Sequence, residues 1–277
     1  MDEFQNIPYE DFRKIISAVR TVRNLDFTSF AQDILMHRMA RSMYMHGLQS
    51  SERLISKLMA DSYFADLFVS EMFVPTTELF RDYSMWKFFE DNIIEKLKSE
   101  TLCKIWIPQI CGDDELYSLL ITLYRKRILN RCVVYATSPA QKILTDAKNG
   151  FVEQKKIEIS DVNFKKMDPD ADLNHYLVHE DKYDYFSPEL LNSVIFIKSD
   201  IITDTPPDNG FNLVLFRDRM LYMNPSTKKR VVENVAKTVM NGGFFIIGIR
   251  ENLAGCDYKG VFIPVSKSEN IFVKVQR

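Results

Sequence analysis

Cysteine is scarce in this chain of 277 residues, which contains only four. No two of them have the C-x-x-C spacing of a zinc knuckle, and their scatter does not indicate a disulfide framework. The sequence therefore predicts neither feature. Each cysteine is expected to be a small core residue of a protein in a reducing, cytoplasmic setting.

Long apolar runs and a basic surplus are also missing. No run approaches the 18 or more apolar residues that mark a membrane span, so no membrane insertion is expected. The first residues, "MDEFQNIPYEDFRK", are too acidic and polar for a signal peptide. The net charge of -2 and the pI near 6.1 argue against a general nucleic-acid binder.

Glycine is rarest in the first hundred residues, where Gly47 stands alone. Apolar residues recur there at helical spacings, for example in "DFTSFAQDILMHRMARSMYMHG" and "SSERLISKLMADSYFADLFVSEMF". Gly47 is the predicted C-cap of the first of these helices, and Ser50 or Ser51 is the predicted N-cap of the second. Hydrophobic residues make up 46% of the chain, enough for a sizeable core.

The pattern changes near residue 102, where short β-rich runs begin to alternate with helical ones. Such alternation predicts βαβ units and a mostly parallel, doubly wound α/β sheet. The last two runs, "GVFIPVSK" and "NIFVKVQR", are so close together that an antiparallel hairpin is expected. Ligands of such sheets bind outside the carboxyl ends of the strands. The segments predicted to surround that crevice are residues 107–115, 138–139, 200–202 and 217–222.

Residues 151–192 do not fit a simple crossover between two strands. "VEQKKIEIS" and "NHYLVHEDKYDYF" are predicted to be short strands around a polar loop, which makes this segment a small β-rich insertion. His175 and His179 have the i, i+4 spacing of some metal ligands. Because a strand would separate their side chains, no metal site is predicted.

Five segments carry a pattern that extends over nearly the whole chain. They are "HRMARSMYMHGL" (37–48), "TTELFRD" (76–82), "KIWIPQICGDDELYSLLI" (104–121), "VYATSPAQKILTDAKNGFV" (134–152) and "FNLVLFRDRMLYMNPSTKKRVVENVAKTVMNGGFFIIGIRENL" (211–253). In this order they resemble the CheR family of chemotaxis-receptor methyltransferases, which modify receptor glutamates. The chain is identified as a divergent member of that family.

The resemblance implies a specific architecture and chemistry. It implies an all-α N-terminal domain (residues 1–88) followed by a Rossmann-like class I methyltransferase domain (89–277) with a β-subdomain insertion at about 151–192. The implied methyl donor is S-adenosylmethionine (SAM), which leaves S-adenosylhomocysteine. The implied partner is a protein, either receptor-like helices or a receptor tail peptide. Since the reaction needs a methyl group held in line with a carboxylate, positioning would dominate catalysis.

The resemblance also assigns roles to individual residues. Tyr222 and Arg81 correspond to catalytic positions. The positions implied to bind the cofactor are Thr77, Arg81, Asp114, Glu115, Ser138, Asp200, Ile201, Arg217 and Asp218. Arg38 and Arg41, three apart on one helix face, would meet acidic receptor helices, and a solvated helix face is the other interpretation of this pair.

Five places around the predicted crevice depart from the family pattern. They are Pro75 for asparagine, Asp113 for glycine, Ser138 for aspartate, Asp200-Ile201 for Asn-Leu, and Asp218 for the asparagine of Arg-Asn. The glycine lets the backbone approach the cofactor closely, whereas Asp113 adds a Cβ and a charge. Ser138 would accept hydrogen bonds from ribose hydroxyls more weakly than a carboxylate, and the nearest acid, Asp146, points elsewhere.

Several of these side chains also have purely structural interpretations. Tyr222 could be a half-buried aromatic residue at the start of a helix. Arg81 and Arg217 could hold a ligand carboxylate bidentately, or they could pair with Asp82 or Asp218 as structural salt bridges.

Two hypotheses follow for the function. The sequence favours a CheR-like protein with a degenerate SAM site, weakened or non-catalytic, that acts through protein interactions in a chemosensory-type pathway. The alternative is an active SAM-dependent protein-glutamate O-methyltransferase with an adapted donor pocket. The enzyme would use SAM, whereas the interaction module would need no cofactor.

Overall fold

The computed structural model describes residues 7–275, and in this part of the chain six α-helices precede the first strand. The helices are α1 (Tyr9–Arg23), α2 (Gln32–Met45), α3 (Ser51–Ala60), α4 (Ser62–Met72), α5 (Tyr83–Asn92) and α6 (Ile94–Lys98). Gly47 follows α2 with a φ of 64°, and the Ser50 hydroxyl accepts a hydrogen bond from Arg53 N (3.4 Å), so both predicted caps are confirmed. The domain boundary proposed at residue 88 lies within α5.

The rest of the described chain alternates strands and helices around one large sheet. Its elements are β1 (Cys103–Ile107), α7 (Asp114–Arg125), β2 (Cys132–Ser138), α8 (Gln141–Asn149), β3 (Phe151–Val152), α9 (Gln154–Met167), β4 (Leu177–Glu180), β5 (Tyr183–Phe186), β6 (Val194–Lys198), β7 (Phe211–Phe216), α10 (Pro225–Thr238), β8 (Val239–Ile247), β9 (Phe262–Ser266) and β10 (Ile271–Lys274). None of the described helices is long and apolar enough to cross a bilayer.

The seven strands of the large sheet have the order β6-β2-β1-β7-β8-β10-β9. All neighbours are parallel except β10, which runs antiparallel to β8 and β9. The predicted Rossmann-like α/β sheet and its terminal hairpin are therefore confirmed. Strand order reverses direction between β1 and β7, which makes their carboxyl ends the expected place for a ligand crevice.

The insertion forms a separate three-stranded sheet with the order β3-β5-β4. The strand predicted over "VEQKKIEIS" is wrong for residues 154–160, which belong to α9, and only Val152 lies in a strand, β3. Its inward side chains recur at helical spacing, and they are Ile157, Ser160, Phe164 and Met167. His175 lies in a short 3-10 helix and only His179 lies in a strand, so the strand prediction is also wrong for His175. Among the described residues no cluster of metal-ligating side chains is found.

The N-terminal helices are joined to the sheet through the segment between α1 and α2. Phe30 forms a bridge with Met223, and the backbone N–H of Ala31 donates to the Tyr222 carbonyl (2.7 Å). The Asn224 N–H in turn donates to the Ser29 carbonyl (3.1 Å). The loop that carries Tyr222 is thus fixed from both sides by the N-terminal part of the chain.

The segment between α4 and α5 carries backbone strain close to the crevice. Phe80 has a φ of 52° and Asp82 one of 56°. A left-handed conformation costs a residue other than glycine about 1–2 kcal/mol. The Phe80 ring is fully buried and stacks on Phe164 with ring centroids 4.4 Å apart. The backbone N–H of Phe80 donates to the Ser118 hydroxyl (2.9 Å). Packing therefore holds Asp82 and its neighbour Arg81 at the edge of the sheet.

Candidate functional site

The loop after β1 is tied to the end of β2 before it reaches the crevice. The Ile110 N–H donates to the Thr137 carbonyl (2.7 Å), and the Thr137 hydroxyl accepts from the Trp106 indole N–H (3.2 Å). Gln109 is buried and has a φ of 54°, which is uncommon for a residue with a side chain. A Cβ added to Gly112 would lie 3.3 Å from the Pro75 Cβ, so the two segments are in close contact.

Two of the acidic residues in this loop are bound to a lysine from α9. Lys156 Nζ lies 2.6 Å from Asp113 Oδ1 and 2.5 Å from Asp114 Oδ1, and the Thr76 hydroxyl donates to the other Asp114 oxygen (3.0 Å). Burial raises the pKa of Asp114 to about 6, although Lys156 opposes the shift. Burial alone would lower the pKa of Lys156, but the two carboxylates raise it above its ordinary value.

Glu115 is paired with an arginine that the sequence argument did not consider. Arg219 Nη2 lies 2.5 Å from Glu115 Oε2, and both residues are only 7% exposed. The Arg219 Nε donates to the Gln109 carbonyl (2.5 Å), and Nη1 donates to the Arg217 carbonyl (2.8 Å). Burial would lower the pKa of Arg219, but Glu115 raises it above its ordinary value. The only sequence signal for this pair was a second arginine between Arg217 and Tyr222.

Arg217 and Arg81 make the contacts that the structural interpretation predicted. Arg217 is buried, and its Nη2 lies 2.6 Å from Asp82 Oδ2, whereas Glu115 Oε1 is 3.9 Å from its Nη1. Arg81 is half-buried, and its Nε lies 3.8 Å from Asp218 Oδ2. Arg217 Nη2 also donates to the Arg81 carbonyl (3.2 Å), and this bond joins the two groups of contacts into one network.

The loop after β7 is held by Glu251, which was also missed. The two carboxylate oxygens of Glu251 accept from the backbone N–H groups of Asp218 (2.9 Å), Met220 (2.6 Å) and Gly248 (2.6 Å). Asp218 has a φ of 60°. A Cβ on Gly248 would collide with the Asp218 carboxylate, so the two residues are in close contact. Burial raises the pKa of Glu251 to about 7. The "ENL" sequence at the end of segment 211–253, which resembles the family, was the signal that could have identified this anchor.

Tyr222 is half-buried and borders a small cavity of ≈ 20 Å³. Gln109, Cys111 and Arg219 line the cavity on one side, and apolar residues of the N-terminal part line it on the other. A cavity of this size has room for about one water molecule.

Four predicted cofactor residues have side chains engaged elsewhere. The Thr77 hydroxyl donates to Glu78, and Ile201 is buried in the core. Ser138 is 0% exposed, and its hydroxyl accepts weakly from the Ala140 N–H (3.4 Å). Asp200 is buried and caps its own turn by accepting from the Ile202 N–H (2.9 Å).

The two arginines predicted to bind a partner differ in their surroundings. Arg38 Nε donates to the Glu71 carbonyl (2.6 Å), and its Nη2 donates to the Phe73 carbonyl (2.7 Å). Arg41 is exposed. Of the pair, Arg41 is the one whose side chain is presented at the surface.

Comparison with known proteins identifies relatives over most of the chain. Residues 75–270 match the family model described as CheR methyltransferase, SAM binding domain. A Pseudomonas putida protein bearing the name Cher3 is 21% identical over 264 residues, which are 95% of this chain and 96% of the relative. A chemotaxis protein methyltransferase of Listeria innocua is 21% identical over 246 residues, which are 88% and 90% of the two chains.

Solved structures are similar at a lower level. The N-methyltransferase NodS of Bradyrhizobium japonicum, solved with S-adenosyl-L-homocysteine, is 8% identical with a TM-score of 0.40, over 71% of this chain and 87% of that one. A TehB-like SAM-dependent methyltransferase of Corynebacterium glutamicum is 11% identical with a TM-score of 0.38, over 71% and 97%.

Proposed function

The chain belongs to the CheR methyltransferase family, and we propose that it is a member whose SAM site is weakened or non-catalytic and that acts through protein interactions in a chemosensory-type pathway. Its fold is the Rossmann-like class I methyltransferase fold preceded by helices. The cofactor of the matched domain is SAM, so the proposal concerns how well this chain still receives it.

The observation that carries the proposal is the pairing of Glu115 with Arg219. SAM is cationic at its α-ammonium and sulfonium groups, and by family resemblance Glu115 is a cofactor-binding carboxylate. In this chain that carboxylate already contacts a buried guanidinium, with a separation of 2.5 Å. A donor molecule would have to displace Arg219 and leave its charge unpaired in the interior, which is strongly unfavourable.

The ribose side of the crevice supports the same proposal. Ser138 stands where the family has an aspartate, and it is fully buried, so a ligand hydroxyl has no carboxylate to contact there. Each lost polar contact removes roughly 1 kcal/mol of binding free energy. Several such losses would lower affinity by orders of magnitude. In this arrangement the residues present do not fit SAM well.

A protein partner is the second part of the proposal. The names of the relatives connect them to chemotaxis methylation, and methyltransferases of that kind act on proteins. We propose receptor-like helices or a receptor tail peptide as the partner. Exposed Arg41 on α2, and the exposed aromatic pair Phe151 and Tyr183 on the small sheet, are surface features that suit such contacts.

One observation favours the alternative of an active protein-glutamate O-methyltransferase. Tyr222 and Arg81 are retained by type and are only half-buried, and Tyr222 borders the cavity next to Arg219. An enzyme that moved Arg219 aside during its cycle would expose Glu115 and Tyr222 together.

Isothermal titration calorimetry with SAM and S-adenosylhomocysteine tests the proposal, with the Listeria innocua relative as positive control. We expect no measurable heat at millimolar ligand and no shift in melting temperature. Micromolar binding, together with methyl transfer to a partner carboxylate that Tyr222→Phe or Arg81→Ala abolishes, would establish the enzyme instead.

A further inference from the structure

We propose that Arg219 is a built-in substitute for the cationic end of a ligand, so that this one side chain closes the amino-acid half of the crevice. This inference rests on the proposed function and extends it, because it names the residue that excludes the donor. It also implies that the acceptor groups of a cation site are still present beneath Arg219.

The first support is the set of atoms around the guanidinium. One carboxylate oxygen, Glu115 Oε2 at 2.5 Å, and two carbonyl oxygens, those of Gln109 at 2.5 Å and Arg217 at 2.8 Å, converge on it. Three acceptors around a buried position form a site for an ammonium or guanidinium group. A free ligand that carries such a group would use the same atoms.

The second support is that the loop bearing Arg219 does not depend on its side chain. Glu251 holds the N–H groups on both sides of that residue, from Asp218 at 2.9 Å and Met220 at 2.6 Å. Gln109 likewise lies in a loop fixed to Thr137 by a backbone hydrogen bond from Ile110 (2.7 Å). The acceptors should therefore keep their places when the Arg219 side chain is removed.

The third support is the space beside Arg219. The small cavity lined by Gln109, Cys111, Arg219 and Tyr222 adjoins the guanidinium on the side of the N-terminal helices. Truncation of Arg219 would join its volume to this cavity and open a continuous space between Glu115 and Tyr222. The ligand class is thus a small organic cation, including the α-ammonium end of an amino-acid nucleoside.

The test is chemical rescue of Arg219→Ala with methylguanidinium chloride at low millimolar concentration, read as melting temperature against equal sodium chloride. We expect the variant to melt lower than the wild type and to regain several degrees with methylguanidinium. The melting temperature of the wild type should not rise with methylguanidinium. Arg230→Ala is the matched control: its guanidinium donates to the Ile202 carbonyl, and in the described part of the chain it makes no ion pair within 4 Å, its charge acting on Asp200 only at longer range.

A double variant identifies the rescuing site. Glu115→Gln combined with Arg219→Ala lacks the carboxylate, so it should show no stabilisation by methylguanidinium. The milder Arg219→Gln variant, which keeps an amide donor without the charge, is measured in parallel in case Arg219→Ala does not fold. No selective stabilisation in either folded single variant overturns the inference, and so does equal stabilisation of the double variant.

S-adenosylhomocysteine separates this inference from the proposed function. We expect Arg219→Ala to bind it at least about tenfold more tightly than wild type does, a difference of about 1.4 kcal/mol. Adenosine, which lacks the amino-acid end, should show no gain. Equal affinity of both proteins overturns the inference while the proposed function stands. Tight binding by wild type overturns the proposed function.

Discussion

The two halves of the predicted crevice differ in how their polar side chains are engaged. The half between β1 and β7 keeps its charged groups, but Arg219 and Lys156 from the chain itself already pair with them. The half at the ends of β2 and β6 has Ser138 where the family resemblance implies a carboxylate, and Asp200 and Ile201 beside it are buried. One half is occupied and the other is depleted, so single substitutions should affect them differently.

The largest expected effect is on the occupied half. Glu115→Ala leaves the buried Arg219 guanidinium without its ion-pair partner, and we expect it to lower the free energy of unfolding by about 3–5 kcal/mol. Urea denaturation measures this loss. Glu115→Ala combined with Arg219→Met should recover much of it, because both charges are then gone. A loss below about 1 kcal/mol would mean that the pair is not buried in solution.

A pH effect of slightly smaller size is expected from Asp114. Its pKa in the folded protein is raised to about 6 from 3.8 by burial, so between these values the folded state holds more protons than the unfolded state. Stability contributed by this group therefore falls as pH rises from about 4 to 6, by about 2–3 kcal/mol. Urea denaturation at several pH values across this range should show that the free energy of unfolding falls with pH more steeply for the wild type than for Asp114→Asn.

The control for this prediction is Asp146→Asn, which removes an exposed carboxylate paired with Lys142. Its free energy of unfolding should change with pH as steeply as that of the wild type. If the free energy of unfolding changed with pH in the same way for the wild type and Asp114→Asn, the raised pKa of Asp114 in the folded protein would be wrong.

The depleted half should not be repaired by one substitution. Ser138→Asp restores the family residue type, but it places a carboxylate at a position that is fully buried. We expect a loss of about 2 kcal/mol in stability and no gain in binding of S-adenosylhomocysteine by calorimetry. Ser226→Asp, at an exposed position of α10, is the control for added charge and should be near neutral. A gain in affinity would contradict this expectation, because it would show that a side chain at position 138 can contact the ligand.

The smallest effects concern the two arginines of α2. Arg38→Ala leaves the Glu71 and Phe73 carbonyls without their donor, and we expect a loss of about 1–2 kcal/mol. Arg41→Ala should change stability by less than about 0.5 kcal/mol, since the residue is exposed. Thermal denaturation of both variants checks the difference. If the two lose equal stability, the structural role of Arg38 is wrong.

The sequence predicted the sheet and its hairpin because apolar runs separated by helical ones constrain topology strongly. It failed at α9, where the alternating "KIEIS" imitates a strand while Ile157, Ser160 and Phe164 lie on one helical face. The carboxyl ends of the strands were predictable from the ends of the apolar runs. The identity of the ion pairs there was not, because Glu115 in the first turn of α7 and Arg219 in the loop after β7 are over a hundred residues apart and meet only in the folded chain.

Arg219 also differs from any diffusible ligand in one quantitative respect. Its guanidinium is attached to the loop that forms the site, so its effective concentration there is fixed and does not fall when metabolites are depleted. A dissolved cation competes with that constant local concentration as well as with the intrinsic affinity of Glu115. Under the role proposed for Arg219, occupancy of this half of the crevice would not change with the supply of methyl donor.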